Sequence, residues 1–473
     1  MPRLYQTFGV LSAAAAAFAL MQSLVTPVLP TIQHDLHTDT GTVTWVLTAW
    51  LLAASVATPL MGRIADMIGK DRALLVALAA IAVGCLVAAI APNIGVLIFA
   101  RVLQGLGGAI FPVSFGIIRD EFPAHRVTSA VGVMAAVIAT GSGLGIVLAG
   151  PIVGVLSWRW LFWIPMIVVT VVGVVAKLVI PASPVRSPGR VNWLAAVLLS
   201  GWLVALLLPL SKATTWGWGS TRTLGLLGLA VVLLVAWFVA EVRSANPLID
   251  MRMMRLPAVW TTNLVSLLFG ASMFGIFAFL PQLMQVPKAS GYGFGASVTE
   301  AGLLMLPMMV TMAVFGSVSG PLTRWISSKI QLVAGSALAS LSAFSLATSH
   351  DTRLMVALAG GVFGIGLGLV YSSMISLIVQ SVPMHQTGAA SGMNTNIRTI
   401  GASIGTAIVS SIVTSHPAAA GLPAESGYTE SFLILSAVAL AAIAVALLVP
   451  AARRRKQTPQ EAEVLPELTP VEV

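Results

Sequence analysis

The chain has 473 residues, of which 57% are hydrophobic and 9% charged, and its mean hydropathy is +0.95. Soluble globular proteins carry about 25% charged residues, so this composition excludes a soluble enzyme, a disordered chain and a nucleic-acid-binding domain. The single cysteine, Cys85, excludes a disulfide framework and a cysteine metal site. The sequence therefore predicts an all-α polytopic membrane protein with no cofactor, no metal and no nucleic-acid partner.

Fourteen candidate membrane spans follow one another along the chain. A helix that crosses the hydrocarbon core needs about 20 mostly apolar residues. Such runs, separated by charged or Gly/Pro-rich breaks, lie near 9–30, 42–61, 73–92, 94–118, 127–149, 159–181, 192–211, 222–241, 257–284, 299–320, 331–348, 353–379, 390–413 and 431–450. The first run follows Arg3 and has the character of a signal peptide. Because thirteen further spans follow it, we interpret it as an uncleaved first helix.

The basic residues indicate which way the spans are oriented. With the N-terminus inside, 18 of the 25 Lys and Arg residues lie in cytoplasmic segments and five lie outside, while Arg101 and Arg398 lie within spans. Cytoplasmic loops of membrane proteins carry the excess of Lys and Arg, so both termini are predicted to be cytoplasmic. The net charge of +9 then reflects topology. Segment 451–473 is predicted to be a disordered cytoplasmic tail.

Three glycine patterns recur at a nearly constant distance along the chain. Gly62 and Gly320 each begin the loop after a span and are 258 residues apart, and the Gly-x-Gly pairs at Gly105 and Gly364 are 259 residues apart. The glycine-rich stretches at 141 and 401 are 260 residues apart. This offset joins each span to the eighth span after it. The alternative is small-residue helix packing that recurs by chance.

The offset predicts two related six-helix halves with a helix pair inserted between them. The first half would occupy 1–181, the inserted pair with its linkers 182–256, and the second half 257–450. Transporters built from parallel repeats bind substrate near the membrane midplane between the halves. The repeat therefore predicts a transporter.

Three segments combine glycines with polar or charged residues at membrane depth or beside it. The loop after span 2 contains Gly62, Asp66, Gly69, Lys70 and Arg72. Span 4 contains Arg101, with Gln104 one turn further along the same face. The end of span 5 contains Gly145, Gly150, Pro151 and Gly154.

These segments, with Trp158–Phe162 and Gly388–Gly405, resemble motifs of the major facilitator superfamily, specifically its fourteen-span drug:proton antiporter branch. The resemblance covers about residues 9–450. It implies that the loop after span 2 is a conformational latch and that the end of span 5 is a hinge and seal between the halves. The residues themselves leave two alternatives open: an ordinary positive-inside turn and plain close packing of helices.

Charged residues inside the spans are the candidates for proton coupling or charge tuning. Arg101 is expected to face a cavity or a partner, because a charge in the membrane is costly; the alternative is an arginine that snorkels to the interface. Arg398 is predicted to share a polar face with Asn394. Glu300, just inside span 10, is a candidate by elimination, and its alternative is a helix cap.

One residue of span 1 departs from the pattern of the drug:proton antiporter branch, and the departure bears on proton coupling. The resemblance implies an aspartate in span 1, but Met21 occupies that position, and none of the sixteen Asp and Glu residues lies in the middle of a span. A substrate pocket would then be apolar, aromatic and amide in character. The candidate lining residues are Gln22, Thr26, Gln104, Asn263, Phe269, Met273, Phe277, Tyr371 and Asn394.

The leading hypothesis is a secondary exporter of lipophilic, neutral or weakly basic molecules, such as drugs or antibiotics, that works by alternating access in exchange for protons. The alternatives are an exporter of one endogenous metabolite or lipid, and a facilitator without proton coupling, which the missing acid favours. No Gly-x-x-x-x-Gly-Lys-Ser/Thr motif for ATP occurs, and no cluster of catalytic residues lies at one membrane depth. We expect a monomer in a bacterial plasma membrane, surrounded by lipid, whose partners are a small-molecule substrate and protons.

Overall fold

The computed structural model describes residues 2–183, 192–244, 247–383, 386–416 and 423–450, and within these ranges the chain is helical with no β-sheet. Thirteen of the described helices are long and apolar enough to cross a membrane, and a bent helix pair provides one more crossing. The all-α architecture with fourteen spans is therefore confirmed. The predicted tail, 451–473, lies outside the described residues.

The spanning helices are numbered α1 to α14 in chain order. Their bounds are α1 Pro2–Leu24, α2 Trp45–Ile68, α3 Lys70–Ala89, α4 Ile94–Glu121, α5 Ala124–Val155, α6 Trp160–Val179, α7 Trp193–Trp216, α8 Thr221–Arg243, α9 Pro257–Gln285, α10 Val298–Leu304 with Leu306–Leu322, α11 Ser328–Thr348, α12 Arg353–Ser381, α13 Thr387–Ser415 and α14 Glu425–Leu448. We call the face where α1 begins and α14 ends the terminal face, and the opposite one the distal face.

Two of these helices depart from straight α-helical geometry where the sequence weakens it. A 3-10 turn, Leu106–Ala109, interrupts α4 within its glycine-rich segment. Helix α5 bends by 41° between Ser129–Gly145 and Val147–Val155. Pro151 lies four residues after Val147 and has no N–H to donate to the carbonyl of that residue, which accounts for a bend here. The helix continues past Pro151 to Val155.

Helix packing in the first six helices recurs in the last six. Helix α1 packs against α5 and α6, just as α9 packs against α13 and α14; likewise α3 packs against α6 as α11 packs against α14, and α2 against α4 as α10 against α12. Each pair reappears eight helices later, which is the offset found in the sequence. This recurrence supports the proposed division into two halves at 1–181 and 257–450.

The two halves meet along two helix pairs that the same offset relates. Helix α2 packs against α13, and α5 packs against α10. Both contacts depend on glycine: a Cβ on Gly62 would lie 2.6 Å from the Gly388 carbonyl oxygen, and one on Gly132 would lie 2.9 Å from the Gly316 oxygen. Glycine at such positions lets two backbones approach closely.

The inserted pair, α7 and α8, packs on one side of this bundle. Helix α7 contacts both α2 and α13. Lys212 Nζ lies 2.5 Å from Thr44 Oγ1 next to α2, and Trp218 Nε1 donates a hydrogen bond to Ser411 Oγ of α13 at 3.0 Å. On its other side α7 packs on α8 through Trp202. Helix α7 therefore covers the groove between the halves on the distal side.

Candidate functional site

A cavity of about 340 Å³ lies between the two halves. Ligand pockets commonly occupy about 300–1,000 Å³. Its lining comes from α1, α2, α4, α5 and α7 on one side and from α9, α10, α12 and α13 on the other. It extends from Thr58 and Thr395 near the middle of the bundle to Gln22 and Thr406 in the distal half.

Five of the sequence-predicted site residues meet in this cavity. Gln22 of α1, Met273 and Phe277 of α9, Tyr371 of α12 and Arg398 of α13 all line it. Four of them were predicted to bind substrate, and Arg398 was predicted to tune charge. Because they come from both halves, a bound molecule would contact both at once.

Three other predicted lining residues lie elsewhere. Thr26 is exposed in the 3-10 turn Thr26–Val28 that follows α1, so it is beyond the cavity. Gln104 is fully buried, and its Oε1 accepts a hydrogen bond from Arg101 Nη1 at 2.7 Å. Phe269 packs behind the wall, edge-on to the Tyr371 ring with centroids 6.4 Å apart.

Asn263 and Asn394 also lie outside the cavity and bind each other. Asn394 Nδ2 donates to Asn263 Oδ1 at 2.8 Å, which joins α13 to α9 within the second half. The Asn394 carbonyl oxygen accepts a further bond from Ser266 Oγ at 3.1 Å. The predicted polar face shared by Asn394 and Arg398 is therefore divided: the asparagine faces α9 and the arginine faces the cavity.

The sequence reasoning missed two helix faces that line the cavity. On α2 and α13 the lining residues recur at helical intervals, as Trp50, Leu51, Ala54, Ser55 and Thr58 and as Thr395, Asn396, Thr399, Ala402, Ser403 and Thr406. Such spacing places residues on one helix face, and a search for stripes of small polar residues would have found the face on α13. Ser211 of the inserted helix α7 also lines the cavity, and no pattern in the sequence points to it.

Arg101 is fully buried behind the cavity wall and does not snorkel to the interface. Its Nε donates to the Val46 carbonyl oxygen at 3.0 Å, and its guanidinium lies 5.4 Å from the Trp50 ring centroid. Trp50 itself lines the cavity. Arg101 therefore brings a positive charge to the back of the wall without contacting the interior.

Met21, at the position where the resemblance implies an acid, points away from the cavity. It is fully buried, and its Sδ lies 3.4 Å from Cys85 Sγ of α3. A contact between two sulfur atoms thus occupies the position where the resemblance implies an acid.

Arg398 is 6% exposed and stacks on Tyr371, with its guanidinium carbon 4.6 Å from the ring centroid. Helices α9 and α13 approach closely here, because Gly270 lies against the Arg398 backbone. Among the described residues that line the cavity, Arg398 is the one charged side chain.

Glu300 lies at the distal start of α10, is exposed and does not line the cavity. It forms a capping box with Ser297: Ser297 Oγ accepts from Glu300 N at 3.2 Å, and Glu300 Oε2 accepts from Ser297 N at 3.0 Å. Both bonds satisfy backbone donors at a helix start. This geometry fits the capping alternative and gives Glu300 no contact with a substrate path.

The latch candidates lie at the terminal face, below the cavity. Asp66 is in the last turn of α2 rather than in a loop, is 1% exposed, and accepts a hydrogen bond from Ala389 N at 3.2 Å. Ala389 is in the first turn of α13, where backbone N–H groups favour an anion. The carboxylate therefore joins the first half to the second.

The other residues of this motif position α2 and α3 within the first half. Gly69 has φ 109° and ends α2, so the turn to α3 is one residue long. Lys70 is fully buried and pairs with Asp120 of α4 at 2.6 Å. Arg72 is exposed at the start of α3.

Arg119, near the end of α4, makes a second contact between the halves that the sequence did not single out. Its Nη2 donates to the Val382 carbonyl oxygen at 2.6 Å, and its Nη1 donates to Thr387 Oγ1 at 2.6 Å and to the Pro383 oxygen at 3.3 Å. Val382 and Pro383 follow the end of α12, where carbonyl groups favour a cation. In sequence, Arg119 is one of many basic residues at the predicted cytoplasmic side.

The glycines of the span 5 motif have different surroundings. A Cβ on Gly145 would lie 2.5 Å from the Leu20 carbonyl oxygen, so this glycine allows α5 to pack against α1. Gly150 lies near Thr299 of α10, where a Cβ would be 3.6 Å from Oγ1, whereas a Cβ on Gly154 would meet no atom of another described element within 4 Å. The motif therefore combines packing within the first half, a bend before Pro151, and one contact with the second half.

The sequence is similar to a known protein family and to several named bacterial transporters. A profile of the Major Facilitator Superfamily matches residues 11–406. The tetracenomycin C resistance and export protein of Streptomyces glaucescens is 29% identical over 88% of this chain and 77% of its own. The multidrug resistance protein B homolog of Mycobacterium tuberculosis is 30% identical over 87% of this chain and 76% of its own. The multidrug transporter protein MdtP of Bacillus subtilis is 28% identical over 84% of this chain and 73% of its own.

Solved structures share the fold at low sequence identity. The human organic anion transporter MFSD10 superposes with a TM-score of 0.69 at 16% identity, covering 94% of this chain and 100% of that one. The proton:xylose symporter XylE superposes with a TM-score of 0.68 at 12% identity, covering 95% of this chain and 96% of that one. Since the profile spans most of the sequence and the helices adopt the same fold, the chain belongs to the major facilitator superfamily and is a membrane transporter.

Proposed function

We propose that this transporter exports lipophilic small molecules across a bacterial plasma membrane by alternating access, with its terminal face in the cytoplasm. The observation that carries the proposal is the cavity between the halves, which is lined by Phe18, Trp50, Met273 and Phe277. Aromatic and methionine side chains suit ligands of several shapes. The names of the relatives from Streptomyces and Bacillus, which describe export and multidrug transport, support the same function.

The terminal face is closed in this conformation, and Asp66 and Arg119 are proposed as its latch. Asp66 contacts the start of α13, and Arg119 contacts the end of α12. Each side chain carries the charge that stabilises the helix end it meets. Release of both contacts would let the halves separate at this face and admit a molecule from the cytoplasm.

Two mechanisms are candidates for driving transport. Exchange for protons is what the resemblance to drug:proton antiporters implies, with Arg101 and Arg398 tuning the titrating group. Facilitation without protons is favoured by the lining itself, because the described lining residues include no Asp or Glu. An endogenous metabolite or lipid in place of a drug remains the alternative substrate.

The test uses proteoliposomes and the neutral dye N-phenylnaphthylamine, with and without an imposed proton gradient. Thr399 of α13 lines the cavity, so Thr399→Trp is expected to fill it and to reduce dye flux to the level of empty liposomes. Thr414 lies on the same helix in an exposed position, and Thr414→Trp is the matched control. Equal flux through both variants would remove the cavity from the transport path.

A further inference from the structure

The charges around the cavity are all of one sign in the described part of the chain. Arg398 is the charged member of the lining, and Arg101 lies directly behind lining residue Trp50. The ion pairs of the described residues involve other side chains, so neither arginine is neutralised by a carboxylate. One positive charge comes from each half of the transporter.

Arg398 also has hydrogen-bonding capacity that the protein leaves unused. Its side chain is 6% exposed, and among the described residues Nη1 has no hydrogen-bond partner. Asn396 is 1% exposed, lines the same cavity, and has neither its Nδ2 nor its Oδ1 paired within the described residues. Two buried polar side chains thus have free groups where a ligand would bind.

A buried guanidinium without an anion is unfavourable, because the low-dielectric interior does not replace its hydration. An acidic ligand would remove that penalty, since the planar guanidinium donates paired hydrogen bonds to carboxylate, sulfonate or phenolate oxygens. A lipophilic cation would be repelled by both arginines. Tyr371, which stacks on Arg398, and Phe277 supply apolar surface for the rest of the molecule.

We infer that the transported molecule is an amphiphilic anion, an aromatic or other lipophilic body with one acidic group, whose acidic oxygens bind Arg398. This inference rests on the proposed export function and narrows its substrate class. It replaces the neutral or weakly basic substrates expected from the sequence. Asn396 donates a further hydrogen bond to the acidic group, and the aromatic part lies against Phe277 and Met273.

The test compares two dyes that share one skeleton. Anilinonaphthalene sulfonate carries the acidic group, and N-phenylnaphthylamine lacks it. Binding to the full-length transporter in nanodiscs is measured by energy transfer from tryptophan, with the signal of empty nanodiscs subtracted. We expect Arg398→Gln to weaken sulfonate binding about tenfold to a hundredfold, the size of a lost hydrogen bond to a charged group, and to weaken binding of the neutral dye far less, because that dye has no acidic group.

Three further variants keep the result independent of folding. Arg398→Lys retains the charge and should restore part of the sulfonate affinity. Asn396→Asp adds a carboxylate to the lining beside the site and should weaken sulfonate binding selectively. Arg324→Gln is the matched control, because Arg324 is exposed at the terminal face, and it should leave both dyes unaffected.

The outcomes separate the two proposals. Equal weakening of both dyes by Arg398→Gln, or ethidium displacing the neutral dye better than the sulfonate does, would overturn the anion assignment and leave the export function standing. Failure of the wild-type protein to bind the neutral dye would count against the lipophilic cavity itself, and the anion assignment would fall with it.

Discussion

Replacing Asp66 by asparagine removes one negative charge from the terminal face and changes little else in size or shape. The carboxylate is 1% exposed and accepts a hydrogen bond from Ala389 N at 3.2 Å, at the start of α13. A hydrogen bond to a charged group contributes about 1.5–3 kcal/mol and one between neutral groups about 0.5–1.5 kcal/mol. A charge at a partly buried helix end adds up to about 2 kcal/mol.

Aspartate at position 66 therefore stabilises the closed terminal face by about 1–2 kcal/mol more than asparagine would. Each 1.4 kcal/mol is a tenfold change in an equilibrium constant. We expect Asp66→Asn to lower the ratio of closed to open terminal faces about fivefold to thirtyfold. Substrate affinity of the cavity should change little, because Asp66 does not line it.

The assay is a distance distribution between spin labels on the two halves at the terminal face. Exposed Lys177 at the end of α6 and exposed Arg324 after α10 are replaced by labelled cysteines; the native Cys85 is fully buried. Asp71→Asn is the matched control, because Asp71 Oδ1 accepts from Ser183 N at 3.1 Å, away from α13. An unchanged distribution in Asp66→Asn, or the same shift in both variants, would refute the latch.

Three further substitutions test the closed terminal face and the role of Glu300. Arg119→Gln loses charged hydrogen bonds to Thr387 and to carbonyl groups that follow α12, so it should open the terminal face by a similar factor in the same distance measurement. Gly388→Ala places a methyl carbon 2.7 Å from the Gly62 oxygen and should shift the distances further toward the open state. Glu300→Gln keeps the acceptor of its capping box, so the pH profile of dye transport should match that of the wild type within error; a flattened profile would give Glu300 a role in coupling.

The number and order of the helices were predictable because the membrane imposes a length and an apolar composition on each span. The fourteen spanning helices of the described residues lie where apolar runs occur, although α1 and α2 extend further at the terminal face than those runs. The terminal part of α2 contains Asp66. Because this turn is charged, its hydropathy predicts a loop rather than a continuation of the helix. In the structure this turn is helical, and Asp66 Oδ2 accepts a hydrogen bond from another helix, a contact that the local sequence does not reveal.

The cavity residues were harder to predict, since depth in a span does not determine which way a side chain points. Asn263 and Asn394 have the polarity and depth of lining residues, yet they pair with each other across α9 and α13. Phe269 and Phe277 differ by about two helical turns, and only Phe277 reaches the interior. These assignments depend on which helices are neighbours, and the order of residues along one helix does not contain that information.

Met21→Asp tests whether the missing span 1 acid explains how transport is driven. Met21 is fully buried and its sulfur lies 3.4 Å from Cys85 Sγ, so an aspartate here would place a titratable group inside the first half. An anionic substrate needs no proton to leave a cell whose interior is negative, because one charge gains about 2.3 kcal/mol per 100 mV.

We therefore expect wild-type flux of anilinonaphthalene sulfonate in proteoliposomes to follow a potassium–valinomycin potential and to ignore a proton gradient at zero potential. Met21→Asp should add a response to the proton gradient, and Met21→Asn should not. Proton-gradient-driven flux in the wild type would show that another group already performs the coupling. Proton binding would then have to occur at a carboxylate outside the cavity lining. Asp66 would be the first to examine, because it joins the two halves where they must separate.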